Sequence, residues 1–147
     1  MSVIEVAVDV DRPREAVWKI VSDPKNLPRW NRHIVSVDGV PQDGLREGSQ
    51  YTTHVSFMGV HAKADARVVE LRPPEYAKVR LSGLAEGTVE TWLEPREGGT
   101  TRLRHRIDYR FKGGPLGAFA AKAVSRMGAT RLLRRGAESQ KTQAEGR

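Results

Sequence analysis

Thr101-Arg102-Leu103-Arg104-His105-Arg106-Ile107-Asp108-Tyr109-Arg110-Phe111, followed by Lys112-Gly113-Gly114-Pro115, is the stretch on which the fold turns. Leu103, His105, Ile107, Tyr109 and Phe111 fall on one parity, and Arg102, Arg104, Arg106, Asp108 and Arg110 on the other. Side chains of a strand alternate between its faces, so residues 101–112 read as a strand with one wall against a core or cavity and one in water. Gly113-Gly114-Pro115 stops it and opens a helix that the pattern carries to about residue 140. Leu116, Phe119, Ala120, Ala123, Val124 and Met127 recur at spacings of three and four, with Leu132 and Leu133 further on. Beyond Glu138 the chain is polar, and a fraying tail is expected there. The domain is therefore placed at 1–140 and the tail at 141–147.

Upstream of this strand the period-two texture continues, with strands expected at about 33–40, 49–58, 60–72, 75–83 and 86–94. The separators are Pro41-Gln42-Asp43-Gly44, Gly59, Pro73-Pro74, Gly83 and Glu97-Gly98-Gly99. The chain opens on a seventh strand, in which Ile4, Val6, Val8 and Val10 alternate with Glu5 and Asp9. Asp11-Arg12-Pro13-Arg14-Glu15 then reads as a capped helix start, with Val17, Ile20 and Val21 facing the sheet. A second short helical piece from Pro24 is expected to end at Pro28 and to deliver Trp30.

The sequence has 147 residues, 25 Lys+Arg against 18 Asp+Glu, a net charge of +7 and no cysteine. Lack of cysteine excludes disulfide scaffolds, thiolate metal sites and thiol nucleophiles. No apolar run is long enough to span a bilayer, and Met1–Glu5 carries no signal-peptide pattern, which together give the expectation of a cytoplasmic protein. His33, His54, His61 and His105 show no metal-ligand spacing, and neither a phosphate-binding loop nor a serine-hydrolase motif is present. Neither metal nor cofactor is expected. Residues 113–147 hold seven basic and two acidic residues, so most of the excess charge lies on the C-terminal helix. Such a surface suits an acidic carrier protein or an anionic surface. Nucleic acid is disfavoured, because no reading module is recognisable and aromatic residues do not interleave with the arginines.

Strand, two short helices, six strands and a long helix is an order that resembles the SRPBCC (START-like, birch-pollen-allergen-like) superfamily, in particular its polyketide cyclase/dehydrase type. The resemblance rests on Glu15-Ala16-Val17-Trp18, Asp23 to Trp30, Arg72-Pro73-Pro74, Gly98 to Arg102, and Gly114-Pro115-Leu116-Gly117. It covers roughly residues 3 to 140. It implies an α+β helix-grip fold, a curved seven-stranded antiparallel sheet wrapped around the C-terminal helix, with a cavity between them. It also implies a small hydrophobic ligand of polyketide, aromatic or lipid type, and ring closure or dehydration as the activity if there is one. A non-catalytic carrier or sensor would need the same cavity. A protein that interacts through its basic surface would need no cavity.

The residues agree with a cavity without requiring it. Ala62, Ala64, Ala66 and Val68 form the uncharged parity of the fourth strand, and the helix stripe is equally rich in small residues. Small residues on both walls either bring elements together or leave space between them. His105 and Tyr109, on one face and about 13 Å apart along the strand, are the candidates for polarising a carbonyl or moving a proton. His105 is also readable, and more simply, as a hydrogen-bonded core histidine. Trp30, Tyr51, Phe57, Ala64, Ala66, Leu103, Ile107, Ala120, Ala123 and Met127 are the candidates for shaping a pocket. In the third strand two parities stay open, one sending Tyr51, Thr53, Val55 and Phe57 inward, the other His54.

Overall fold

The computed structural model describes residues 2–57, 59–83, 85–111 and 113–146, without the side chains of Ser2, Phe57, Leu116 and residues 123–127. Strand β1 (Ser2–Val10) leads into helix α1 (Arg14–Val21), a 3-10 turn (Pro24–Asn26) and the one-turn helix α2 (Leu27–Trp30). Strands β2 (Ile34–Asp38), β3 (Gln50–Phe57), β4 (Val60–Arg72), β5 (Tyr76–Gly83), β6 (Ala85–Arg96) and β7 (Thr100–Phe111) follow. Helices α3 (Pro115–Met127) and α4 (Ala129–Ala144) complete the chain. The seven strands form one curled antiparallel sheet in the order β1-β7-β6-β5-β4-β3-β2, which is the expected helix grip. The first strand, β1, forms one edge of the sheet and pairs with the last strand, β7, and α4 packs across them.

Four local expectations are corrected. The C-terminal helix is two helices, broken at Gly128, whose φ of 79° is open to glycine but strained for other residues. The tail does not fray at 140. Helix α4 runs to Ala144, Lys141 donates to the Asp9 carbonyl at 2.6 Å, and Glu145 accepts from the Asp11 amide at 2.8 Å. Asp11 does not cap α1, whose N-cap is Pro13. Pro28, expected to end the second helical piece, sits instead in the first turn of α2, where a missing N–H costs nothing.

The packed core occupies one end of the sheet. Val6, Val8 and Val10 of β1, Leu93 of β6 and Leu103 of β7 meet Val17 of α1 and Ala137 of α4. Leu103 was expected to line a pocket, but it is fully buried in this core instead. Moving along β1 and β7 away from it, the facing rows become Val6–His105, Ile4–Ile107 and Ser2–Tyr109. The inward face of β7 therefore begins in solid core and ends against open space.

Candidate functional site: a charge-free cavity between sheet and helix

That space is a cavity of about 400 Å³ between the inner face of the sheet, α1, α2 and α4. Its floor is ordered by strand register into transverse rows. Val68, Val79, Val89, Ile107 and Ile4 stand side by side on β4, β5, β6, β7 and β1 as an unbroken aliphatic band. On one side of the band the row is Leu71, Ala77, Thr91, His105 and Val6; on the other it is Tyr51, Ala66, Leu81, Gly87 and Tyr109. Polar groups thus flank an apolar strip. Gly87 is required where it stands, because a Cβ there would meet the Asp108 carbonyl at 1.8 Å.

The helical wall is a stripe of α4, Ala129, Leu132, Leu133, Gly136, Ala137 and Gln140, at the three- and four-residue spacing of one helix face. Gln140 is the polar member of that stripe and is buried. Its Oε1 lies 2.7 Å from His105 Nε2, and Thr91 Oγ1 lies 2.9 Å from His105 Nδ1. A carboxamide oxygen only accepts, so Nε2 carries the hydrogen. Burial lowers the His105 pKa below the ordinary value of 6.5, more than the Gln140 hydrogen bond raises it. The ring is therefore neutral near pH 7, with Nδ1 accepting from the Thr91 hydroxyl. Both nitrogens are engaged, and the Gln140 amide nitrogen carries no hydrogen bond among the described residues.

Trp30 is buried, lines the cavity and donates its indole N–H to Gln143 Oε1 at 3.0 Å. Gln143 in turn donates to Asn26 Oδ1 at 3.3 Å, so the end of α4 ties the short helices to the sheet. Tyr51 and Tyr109 both line the cavity, and Tyr109 meets Phe111 edge-on with ring centroids 5.5 Å apart. Burial raises the Tyr51 phenol to about 12. The open parity of β3 is settled in favour of Tyr51: His54 points to the outer face, 2.6 Å from Asp38 Oδ2. No Asp, Glu, Lys or Arg is among the described lining residues.

Of the candidates read from the sequence, His105, Tyr109, Trp30, Tyr51 and Ile107 come together on the cavity. Ala64 and Ala66 do not line it; Ala66 stands in the floor row between Tyr51 and Leu81 but is itself buried. Ala120 is buried but also absent from the lining, because the helical wall is made by α4. Phe57, Ala123 and Met127 lie outside the described side chains. The residues missed include Thr91, Gln140, the floor residues Val68, Val79, Val89 and Ile4, and the apolar part of the α4 stripe. A glutamine in phase with Leu132, Leu133 and Gly136 is a readable signal, obscured by the expectation that the helix frays.

A sheet curled around a helix, with an apolar cavity between them, defines the helix-grip class of protein. The model of the family described as polyketide cyclase/dehydrase and lipid transport matches residues 1–145. The chain belongs to this family. It is 31% identical over 133 residues to an uncharacterized protein of Mycobacterium tuberculosis, covering 84% of this chain and 89% of that one. Among solved structures, a START superfamily protein from Mycobacterium smegmatis superposes with a TM-score of 0.71 at 20% identity, covering 97% of each chain. The Zhui aromatase/cyclase from Streptomyces sp. R1128 superposes at 0.69 with 15% identity, covering 96% of this chain and 94% of that one. At these identities the structures share the fold.

Proposed function

We propose that the protein encloses one small hydrophobic molecule, of polyketide, aromatic or lipid type, between the sheet and α4. The observation that carries this is the cavity of about 400 Å³, walled by aliphatic and aromatic side chains with a few polar groups at its margins, which is the usual anatomy of a small-molecule site. Native mass spectrometry of the purified chain, with solvent extraction of what it carries, tests the proposal. A stoichiometric non-covalent adduct, displaced by an added hydrophobic ligand with a change in the fluorescence of Trp18 and Trp30, is the expected result. A protein that neither carries nor takes up any apolar molecule overturns it.

Cyclisation or dehydration of a bound polyketide is the second reading, favoured by His105 and Tyr109 standing on one cavity wall. In it Tyr109 and the Gln140–His105 pair hydrogen-bond ketone oxygens and hold the chain in a ring-closing shape, so positioning contributes most of the rate. His105 serves that role better than proton abstraction, since both its nitrogens are already bonded. Turnover by His105→Ala and Tyr109→Phe equal to that of the parent, with folding intact, would remove both residues from the mechanism.

A further inference from the structure

Resting on the binding function just proposed, we infer that the cavity selects an uncharged ligand with a hydrogen-bonding group at each end of an apolar body, and rejects carboxylates. The rows of the floor supply the geometry. The aliphatic band of Val68, Val79, Val89, Ile107 and Ile4 receives the apolar body. Tyr51 and Tyr109 sit in one and the same transverse row, although β3 and β7 are four strands apart. They bracket one end of the ligand, with Ala66, Leu81 and Gly87 between them. Neither hydroxyl has a hydrogen-bond partner among the described residues. At the other end is Gln140, held by His105, with its amide nitrogen left to donate. The two polar rows are four residues apart along β7, about 13 Å, a span that a rigid two-ring molecule with an oxygen at each end bridges.

The missing charge is the second half of the argument. A carboxylate moved into this chamber finds no Arg or Lys among the described lining residues, and His105 stays neutral because burial disfavours its cation. An unpaired carboxylate in an apolar site is so costly that the acid enters only in its protonated form. With an ordinary carboxyl pKa near 4, that form is on the order of one part in a thousand at pH 7. Free fatty acids and free polyketide acids are therefore poor occupants, while ketones, phenols, esters and thioesters are good ones.

The test is a titration of the full chain at pH 7 with biphenyl, biphenyl-4,4′-diol and biphenyl-4,4′-dicarboxylate, followed by calorimetry and tryptophan fluorescence. The expected order has the diol about five- to tenfold tighter than biphenyl per hydrogen bond gained. The dicarboxylate is weaker than the diol by at least a hundredfold and recovers as the pH is lowered toward 4. Tyr51→Phe/Tyr109→Phe is expected to bring the diol down toward biphenyl, with an unchanged circular dichroism spectrum reporting that the variant is folded. A dicarboxylate within tenfold of the diol overturns the selectivity and leaves the binding function standing. Absence of binding by all three overturns both.

Discussion

His105 shows how one side chain can be both part of a site and part of the core. It stands where the inward face of β7 passes from packed residues to open cavity, with Leu103 on one side and Ile107 on the other. Its buried, neutral ring links stability to pH. The folded-state pKa lies below the ordinary 6.5 because burial disfavours the cation. Above about pH 6.5 the ring is neutral in both states and the fold is unaffected. As pH falls through 6.5 the unfolded chain takes up a proton that the native chain refuses, so this stability is lost toward acid, with a slope of up to about 1.4 kcal/mol per pH unit. Urea melts between pH 7.5 and 5 are expected to show this fall, and His105→Gln to lose that part of it. Equal slopes in the two proteins would show that His105 is not buried as a neutral ring. Strand parity made this residue legible in the sequence as an inward histidine. Its partner was not, because Gln140 lies on an element whose end the sequence reading discounted. Tyr51 was legible in principle. Phe57 pairs with Val60 across a two-residue connection, and counting back from that turn places Tyr51 opposite Ala66, on the uncharged parity of β4.

At the scale of elements, the strands followed the alternation closely, since each has one wet and one dry face and a one-residue slip would exchange them. The helical C-terminus did not. Gly128 sits between Met127 and Ala129, both good helix formers, and a glycine within a helical pattern is tolerated often enough that only its positive φ reveals the break. The polar end of α4 was read as solvated because its polarity was weighed without its partners. Those partners lie far away in sequence: Gln143 bonds Trp30 and Asn26, and Lys141 reaches the Asp9 carbonyl. These contacts tie α4 to the short helices that complete the cavity wall. Gln143→Ala leaves the buried Trp30 indole N–H without its acceptor and is expected to cost about 1–2 kcal/mol. Chemical denaturation measures that loss, and the emission of Trp30 should shift with it. A variant as stable as the parent, with unchanged emission, would mean that the end of α4 is not a structural tie.

For the molecule as a whole, charge and cavity divide between its two surfaces. On the outer face of the sheet, Arg104 lies 2.9 Å from Glu5 and 3.2 Å from Glu94, and its guanidinium stacks 4.2 Å from the Trp92 ring centroid. Arg110 pairs with Glu86 at 3.0 Å. Two of the four arginines of the β7 stripe, Arg104 and Arg110, are thus answered by their neighbours, while Arg131, Arg134 and Arg135 of α4 are exposed. The inner face is neutral and incompletely filled, so the ligand-free protein forgoes dispersion contacts that a packed core would make. An occupant supplies them and acts as part of the core. At a ligand concentration a hundred times its dissociation constant, binding adds about 2.7 kcal/mol to stability, worth roughly 5–10 °C in melting temperature for a chain of this size. Val79→Phe places a ring from the centre of the aliphatic band into the same space. Its own stability should stay within about 1 kcal/mol of the parent, because the added ring enters a void and not a packed core. The thermal shift with biphenyl-4,4′-diol should vanish and affinity should fall more than tenfold. Parent-like shifts in Val79→Phe would place the ligand elsewhere; a variant that fails to fold would show that the space is not available to a ring at all.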